Sequence, residues 1–165
     1  MSKTIIGVMG AGVATSEDLQ LSYELGKAIA FNNWVLLTGG RKAGVMDAAS
    51  RGAKAGGGLV IGVLPGKDTS GMSDAVDIPI LTDMGNARNN INVLSAQVII
   101  TCGIGLGTAS EIALALKNHK PVVLLQSTKI TYQFFASLTD ELLFSAETVE
   151  SAIALVEEII SNTKV

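Results

Sequence analysis

Three glycine-rich segments of this sequence could bind an anionic ligand through their backbone N–H groups. Each follows a short apolar run, and together they are Gly10-Ala11-Gly12, Thr38-Gly39-Gly40-Arg41-Lys42-Ala43-Gly44 and Gly103-Ile104-Gly105-Leu106-Gly107. Glycine lets a ligand approach the backbone closely, and a helix that starts after such a loop adds free N–H groups and a positive dipole end. One such segment is easily explained as a tight turn. Three in one small chain favour a ligand that carries one or more phosphates.

Polar side chains near these segments could complete an anion site. Arg88 lies in the N-terminal part of a predicted helix, where a cation opposes the helix dipole. It is either a solvated surface residue or it faces the anion site and pairs with Glu111 or a ligand phosphate. Asn89 adds a hydrogen-bonding group beside it. Arg41 and Lys42 are either further phosphate partners or solvated loop charges.

The last glycine segment leads into a predicted helix whose start has a purely structural interpretation as well. Thr108-Ala109-Ser110-Glu111 has the spacing of a capping box, which predicts Thr108 as the N-cap and Glu111 bonded back to the cap amide. That arrangement needs no ligand. Cys102, at the end of the preceding strand, could touch a ligand or a metal, or it could be a small core residue.

The composition of the 165-residue chain limits the functions it can have. Its length suits one domain, 1–165, and its net charge of −3 argues against duplex nucleic acid or an anionic membrane as partner. Only 16% of the residues are charged, which favours burial of surface against copies of the same chain. One cysteine and one histidine, Cys102 and His119, exclude an internal disulfide and a metal cluster of these residues. Without a signal-peptide pattern or a membrane-length apolar stretch, we expect a cytoplasmic protein.

Apolar runs alternate with amphipathic segments along the chain. The runs predict strands, and the segments between them predict helices; the strands are 5–9, 34–37, 59–64, 78–81, 98–102, 121–125 and 142–144, and the helices start near 15 or span 45–55, 86–95 and 108–117. Ser145 is predicted to cap a last helix that runs to 160, and 132–138 is ambiguous. Pro79 places the fourth strand at an edge. This alternation predicts a doubly wound α/β fold, Rossmann-like, with a mostly parallel sheet covered by helices on both faces.

A doubly wound sheet binds its ligand outside the C-terminal ends of its strands, where the three glycine segments are predicted to lie. The usual nucleotide fingerprints are missing there. The first segment lacks the third glycine of a dinucleotide loop, no acidic residue follows the second strand, and no Gly-Lys-Ser or Gly-Lys-Thr occurs. We therefore do not expect NAD or ATP as the ligand.

Three motifs, in this order, resemble those of the lonely-guy superfamily, often mislabelled lysine decarboxylases. Segment 38–46 is similar to its Gly-Gly-x-x-Gly-x-Met element, 84–88 to its Met-His-x-Arg-Lys element, and 105–111 to its Gly-x-Gly-Thr-x-x-Glu signature. Enzymes of that superfamily release a base from a nucleoside 5′-monophosphate, and the resemblance implies Arg88 and Glu111 as the catalytic pair. This chain departs from the enzymes, because Gly85 replaces their histidine, Asn89 their lysine, and Gly103 the proline of their glycine loop.

A second branch of the superfamily fits these departures better. Segments 85–95 and 108–117 resemble the molybdenum cofactor carrier proteins of algae and bacteria, which implies a homo-oligomer, a dimer or tetramer, that binds, protects and delivers the cofactor without turnover. The cofactor is a pterin with an anionic phosphate and a negatively charged oxo-metal dithiolene, so it needs no dedicated metal ligands from the protein. Cofactor-synthesis proteins or molybdoenzymes are the implied partners, and a phosphoribohydrolase is the alternative. The expected cofactor-binding residues are Gly10, Ala11, Gly12, Thr38, Gly39, Gly40, Arg41, Lys42, Arg88, Asn89, Gly103, Gly105, Gly107, Thr108 and Glu111.

Overall fold

One parallel β-sheet organises the computed structural model of the chain, which describes residues 3–139 and 141–163. Its seven strands within the described residues stand in the order β4-β3-β2-β1-β5-β6-β7, and every neighbouring pair is parallel. The strands are β1 (Ile5–Gly10), β2 (Val35–Thr38), β3 (Val60–Leu64), β4 (Ile78–Leu81), β5 (Val98–Cys102), β6 (Val122–Leu125) and β7 (Leu143–Ala146). The doubly wound α/β fold is confirmed, and β4 is an edge strand as its proline predicts.

Helices cover both faces of this sheet and bury two separate apolar clusters. The helices in the described residues are α1 (Ser16–Phe31), α2 (Gly44–Ala55), α3 (Asn89–Ser95), α4 (Leu106–Lys117), α5 (Lys129–Ala136) and α6 (Val149–Thr163), with a 3₁₀ turn at Gly85–Arg88 before α3. One cluster joins β-strand side chains to α1, α2 and α6, and the other joins the opposite strand faces to α3, α4 and α5. None of the described helices is long and apolar enough to cross a membrane.

The helix start predicted at Ser145 is wrong. Ser145 lies within β7, because the strand runs on to Ala146 in register with β6. Thr148 caps α6 instead: its Oγ1 accepts a hydrogen bond from the Ser151 N–H at 3.2 Å, and Ser151 Oγ accepts one from the Thr148 N–H at 3.1 Å. The predicted helix 86–95 is divided into the 3₁₀ turn and the short α3. The ambiguous segment 132–138 belongs largely to α5, which starts at Lys129.

Close packing of α1 on α2 fixes the position of the loop that precedes α2. A Cβ added at Gly52 would lie 1.9 Å from the Tyr23 carbonyl oxygen, and one at Gly26 would lie 2.1 Å from the Ala49 carbonyl oxygen. The backbones of the two helices therefore approach to a distance that only glycine permits at these points. Since α2 begins directly after the second glycine segment, this contact also positions that segment.

Candidate functional site

A cavity of about 330 Å³ opens at the C-terminal ends of β1, β2 and β5. β1 lies at the centre of the sheet, between β2 and β5. The strands that follow β1 in the chain, β2 to β4, extend the sheet on one side, and β5 to β7 extend it on the other. Such a reversal of strand order creates a crevice in open α/β sheets, and ligands bind there. The first, second and third glycine segments, the 3₁₀ turn and the start of α4 all contribute to the cavity wall.

Most of the predicted site residues meet in this cavity. Those that line it are Gly10, Ala11, Gly12, Gly39, Arg41, Arg88, Asn89, Gly105, Gly107, Thr108 and Glu111. Sequence reasoning did not select five further lining residues, namely Met9, Val13, Met46, Asn86 and Leu106. Asn86 stands two residues before Arg88, in a segment with asparagine at positions 86, 89, 90 and 92. The other four carry apolar side chains. Met46 is the methionine of the Gly-Gly-x-x-Gly-x-Met element, whereas nothing in the sequence distinguishes Met9, Val13 and Leu106 from core or surface residues.

Four of the predicted residues do not line the cavity. Thr38 is buried, accepts a hydrogen bond from the Gly40 N–H at 3.0 Å and lies 3.3 Å from the Ser50 hydroxyl. Gly40 has a φ of +73° and packs on the backbone of Gly62, Lys42 forms an ion pair with Asp74, and Gly103 adjoins the Asp18 carboxylate. These residues shape or flank the loops, while their neighbours form the cavity wall.

Arg88 enters the cavity wall as a buried cation. Arg88 is only 8% exposed, and its Nη1 donates hydrogen bonds to the carbonyl oxygens of Gly39 and Val63. Burial lowers the pKa of Arg88, the Glu111 charge raises it, and the Arg41 charge lowers it. The solvated alternative is therefore wrong. Direct pairing with Glu111 is not seen either, because the hydrogen bonds of this guanidinium in the described residues go to backbone oxygens.

Glu111 on α4 lines the same cavity as Arg88 and is a buried acid. Its Oε1 accepts a hydrogen bond from Asn92 Nδ2 at 2.8 Å, and the residue is 7% exposed. Burial raises the pKa of Glu111, while the Asn92 hydrogen bond and the Arg88 charge lower it. Asn92 was not among the predicted site residues. Its place one helical turn after Arg88 is the signal that could have found it.

The capping box predicted at the start of α4 is wrong. α4 begins at Leu106, its N-cap is Gly105, and no side chain caps it. Thr108 therefore stands inside the first turn, where its Oγ1 is buried without a hydrogen-bond partner among the described residues. Glu111 points to Asn92 instead of back toward the helix start. The N-terminus of α4 consequently reaches the cavity with its positive dipole end and without a side chain over it.

Asn89 and Asn92 connect α3 to α4. Asn89 Nδ2 donates to the Ser110 hydroxyl at 2.8 Å, and that hydroxyl donates to the Gly107 carbonyl oxygen at 2.7 Å. With the Asn92–Glu111 bond, these contacts hold the 3₁₀ turn and its arginine against the start of α4. The cavity is thus assembled from elements that hydrogen bonds link to one another, and it brings two guanidinium groups and glycine backbone together.

Cys102 is a core residue and does not line the cavity. It is fully buried in β5, and burial, together with the Asp18 charge, raises the pKa of its thiol to about 12. The described residues contain no group of three His, Cys, Asp or Glu side chains that could hold a metal ion.

Known proteins resemble this chain over nearly its full length. The structure of a molybdenum cofactor binding protein from the phototrophic bacterium Rippkaea orientalis is 57% identical, with a TM-score of 0.95, over 97% of this chain and 99% of that one. The structure of the molybdenum cofactor carrier protein from Chlamydomonas reinhardtii is 51% identical, with a TM-score of 0.93 and the same coverage. The resemblance to the carrier branch, based on two segments of the sequence, is confirmed.

A more distant relative represents the enzymes of the superfamily. A cytokinin riboside 5′-monophosphate phosphoribohydrolase from Mycobacterium tuberculosis is 31% identical over 131 residues, which span 74% of this chain and 70% of that protein. A family model described as the SLOG cluster4 family matches residues 3–153. The fold, the cavity motifs and the match over most of its length show that this chain belongs to the SLOG cluster4 family.

Proposed function

We propose that this chain is a carrier that binds molybdenum cofactor in the cavity, protects it and delivers it without chemical turnover. The observation that carries the proposal is a cavity built from glycine backbone, one helix N-terminus and two arginines. A phosphate group is favoured by each of these parts. The likeness to two cofactor-binding proteins along the whole chain supports the same ligand.

The free space beside two glycines fits a ligand that lies against the backbone. No atom comes within 4 Å of the position that a Cβ would take at Gly12 or Gly107. Gly12 lies in the loop before α1 and Gly107 stands in the first turn of α4, so a ligand between them would contact this loop and the start of α4 at once. Arg41 and Arg88 line the same cavity and are the residues we assign to the phosphate. The cofactor carries its metal on its own dithiolene sulfurs, so a cavity of this composition suits it.

A pair of adjacent cations offers a matched test of this assignment. Arg41 lines the cavity, whereas Lys42 turns away to its ion pair with Asp74. Purified wild type and the variants Arg41→Ala and Lys42→Ala are loaded with cofactor, and the pterin retained after gel filtration is measured by fluorescence after oxidation. Arg41→Ala should lose about tenfold in affinity, the worth of one charge-assisted contact, and Lys42→Ala should retain the cofactor. Equal losses in both variants, or no retention by the wild type, would contradict the proposal.

A phosphoribohydrolase is the second candidate function, and one observation favours it. Arg88 and Glu111, the pair implied as catalytic by the enzyme resemblance, both line the cavity. The same preparation is therefore incubated with AMP and with N6-substituted analogues, and the free base is measured. Release at a catalytic rate that Glu111→Ala abolishes would move the chain to the hydrolases. Retained pterin without released base would leave it a carrier.

Assembly, partners and location complete the proposal. We propose that the chain is a single domain and that it forms a homo-oligomer, a dimer or tetramer. Apolar side chains that stand exposed on the edge strand β4 and on α5 support this assembly. Ile80 and Leu81 are 39% and 47% exposed, and Ile130 and Phe134 are 79% and 60% exposed. Sedimentation measures the assembly state, and a monomer at micromolar concentration would contradict it. Cofactor-synthesis proteins or molybdoenzymes in the cytoplasm are the proposed exchange partners, with no role for nucleic acid or membrane.

A further inference from the structure

One buried acceptor beside the cavity lacks a partner. Asn92 is 0% exposed. Its Oδ1 atom is buried and has no hydrogen-bond partner among the described residues. The other end of the same amide, Nδ2, donates to Glu111 Oε1 at 2.8 Å. Buried polar groups in folded proteins are nearly always paired, so this amide oxygen calls for a hydrogen-bond donor close to it.

A protonated Glu111 supplies such a donor. An amide oxygen only accepts, and an ionised carboxylate also only accepts, whereas a neutral carboxyl group has one O–H to give. An amide and a carboxylic acid can exchange two hydrogen bonds in a ring. The acid accepts from the amide N–H, as Glu111 Oε1 does here, and donates its O–H to the amide oxygen. Protonation of Glu111 would therefore supply the donor that Asn92 Oδ1 lacks, beside the hydrogen bond that Asn92 Nδ2 already donates to Oε1.

We propose that Glu111 is a neutral carboxylic acid in the ligand-free protein, paired with the Asn92 amide, and that Asn92 thereby sets the preference of the cavity for anions.

The surroundings of Glu111 support this assignment. Burial is the largest influence on its pKa and raises it. One charged group opposes that effect, Arg88 on the 3₁₀ turn, and its Nη1 is engaged by two backbone carbonyl oxygens. α3 contributes the uncharged Asn92, and the loop before α2 contributes Arg41, whose influence reaches Arg88. The favourable partner of the neutral form, the orphaned Oδ1, lies on the residue already bonded to Glu111.

A neutral Glu111 changes what the cavity can hold. The charges of Arg41 and Arg88 then stand without a carboxylate beside them, so a phosphate or an anionic dithiolene meets attraction alone. The same cavity would lack the carboxylate needed to stabilise a positively charged ribose, which disfavours base release. This consequence for the ligand rests on the proposed function, whereas the protonation state of Glu111 does not.

Infrared spectroscopy of the unliganded protein tests the protonation state directly. At pH 7 exposed carboxyl groups are ionised, so they do not contribute the carbonyl stretch of a neutral carboxylic acid. A band of that kind can therefore be assigned to a buried neutral acid. We expect that band in the wild type, its loss in Glu111→Gln, and its survival in the control Glu157→Gln, an exposed residue of α6. Glutamine has the shape of the neutral acid and can donate to Asn92 Oδ1, so the variant should fold. A wild-type spectrum without the band would overturn the proposal.

The pairing with Asn92 is tested by a shift of the same band. Asn92→Leu keeps a side chain of similar size and removes both hydrogen bonds. The acid band should then move toward the position of a free carboxyl group, because its O–H and C=O lose their partners. A band in the same position as in the wild type would overturn the pairing. Isotope-edited spectra of wild type with labelled asparagine measure the same coupling if Asn92→Leu does not fold.

Sulfate binding tests the effect on anions, since sulfate keeps two negative charges across the pH range used. The affinity of the wild type should fall as the pH rises through the pKa of Glu111, and Glu111→Gln should lose that dependence. If the sulfate affinity of Glu111→Gln is already about tenfold higher than that of the wild type at pH 6, about 1.4 kcal/mol, then Glu111 is ionised in the wild type. That result would overturn the proposal. If sulfate does not bind at all, the anion site of the proposed function fails, while the infrared result still decides the protonation state.

Discussion

Replacing Gly12 with leucine should fill about a third of the cavity without disturbing the fold. Gly12 lines the cavity, is exposed, and a Cβ at this position would meet no atom within 4 Å. The added side chain therefore extends into open space and does not press on the core. Gly66 offers a matched control, because it is also a loop glycine with room for a Cβ, whose nearest atom would be 4.0 Å away, and it does not line the cavity.

The size of the effect follows from the volumes. A methyl group takes about the space of a water molecule, whose share of the liquid is about 30 Å³. The four carbon atoms of leucine thus occupy about 120 Å³, roughly a third of a cavity of about 330 Å³. A ligand that lies on the backbone at Gly12 has to give up that contact or leave the cavity. We expect Gly12→Leu to lose at least about a hundredfold in cofactor affinity, about 2.7 kcal/mol, and Gly12→Ala to lose less.

The assay compares these variants under one loading protocol. Retained pterin is measured after gel filtration, and urea unfolding checks that Gly12→Leu is as stable as Gly66→Leu within about 0.5 kcal/mol. A graded loss in the order wild type, Gly12→Ala, Gly12→Leu would support a ligand on this loop. Full retention by Gly12→Leu would refute it. So would an equal loss in Gly66→Leu, since that residue lies outside the cavity.

Three further predictions concern packing, the thiol and the buried acid. Gly52→Ala should lower the free energy of unfolding in urea by about 1–3 kcal/mol, because its Cβ would lie 1.9 Å from the Tyr23 carbonyl oxygen; an unchanged midpoint would contradict the close contact of α1 and α2. Cys102 should resist alkylation at pH 8 in the folded protein and react after unfolding, because burial raises its pKa to about 12; rapid labelling of native protein would contradict this. Glu111 has a folded pKa above its ordinary 4.5, so the folded state binds the extra proton and stability falls as the pH rises from 4.5 to the folded pKa. Glu111→Gln should therefore gain stability relative to wild type across that window, and parallel curves in urea unfolding would contradict it.

The sequence predicts the sheet well because each strand is a short apolar run between turn residues. The runs at 98–102 and 78–81 match β5 and β4 to the residue, and Pro79 correctly places β4 at an edge. Ser145 was misread because a serine before a helical pattern usually caps it. Here the pairing of β7 with β6 continues past Ser145, and pairing between strands far apart in the chain is invisible to a local pattern.

The site was harder to predict because two neighbouring cations of the second glycine segment, Arg41 and Lys42, have different surroundings, and only one of them lines the cavity. Arg41 reaches the cavity, whereas Lys42 bonds to Asp74, 32 residues later. Composition treats the two cations alike. The importance of Asn92 depends on a hydrogen bond to α4, and the local spacing of α3 alone does not reveal that partner.

The glycines that suggested a ligand serve different purposes, and this decides how much of the functional argument they carry. A Cβ at Gly10 would lie 2.3 Å from the Cys102 carbonyl oxygen, so that glycine lets β1 pass close to β5. A Cβ at Gly39 would lie 2.6 Å from Arg88 Nη1, so that glycine makes room for the arginine. Only where the space beside the glycine is empty does the absence of a side chain leave room for a ligand. The case for a bound anion therefore rests on Gly12 and Gly107, with the cation that Gly39 admits, and not on the number of glycine segments.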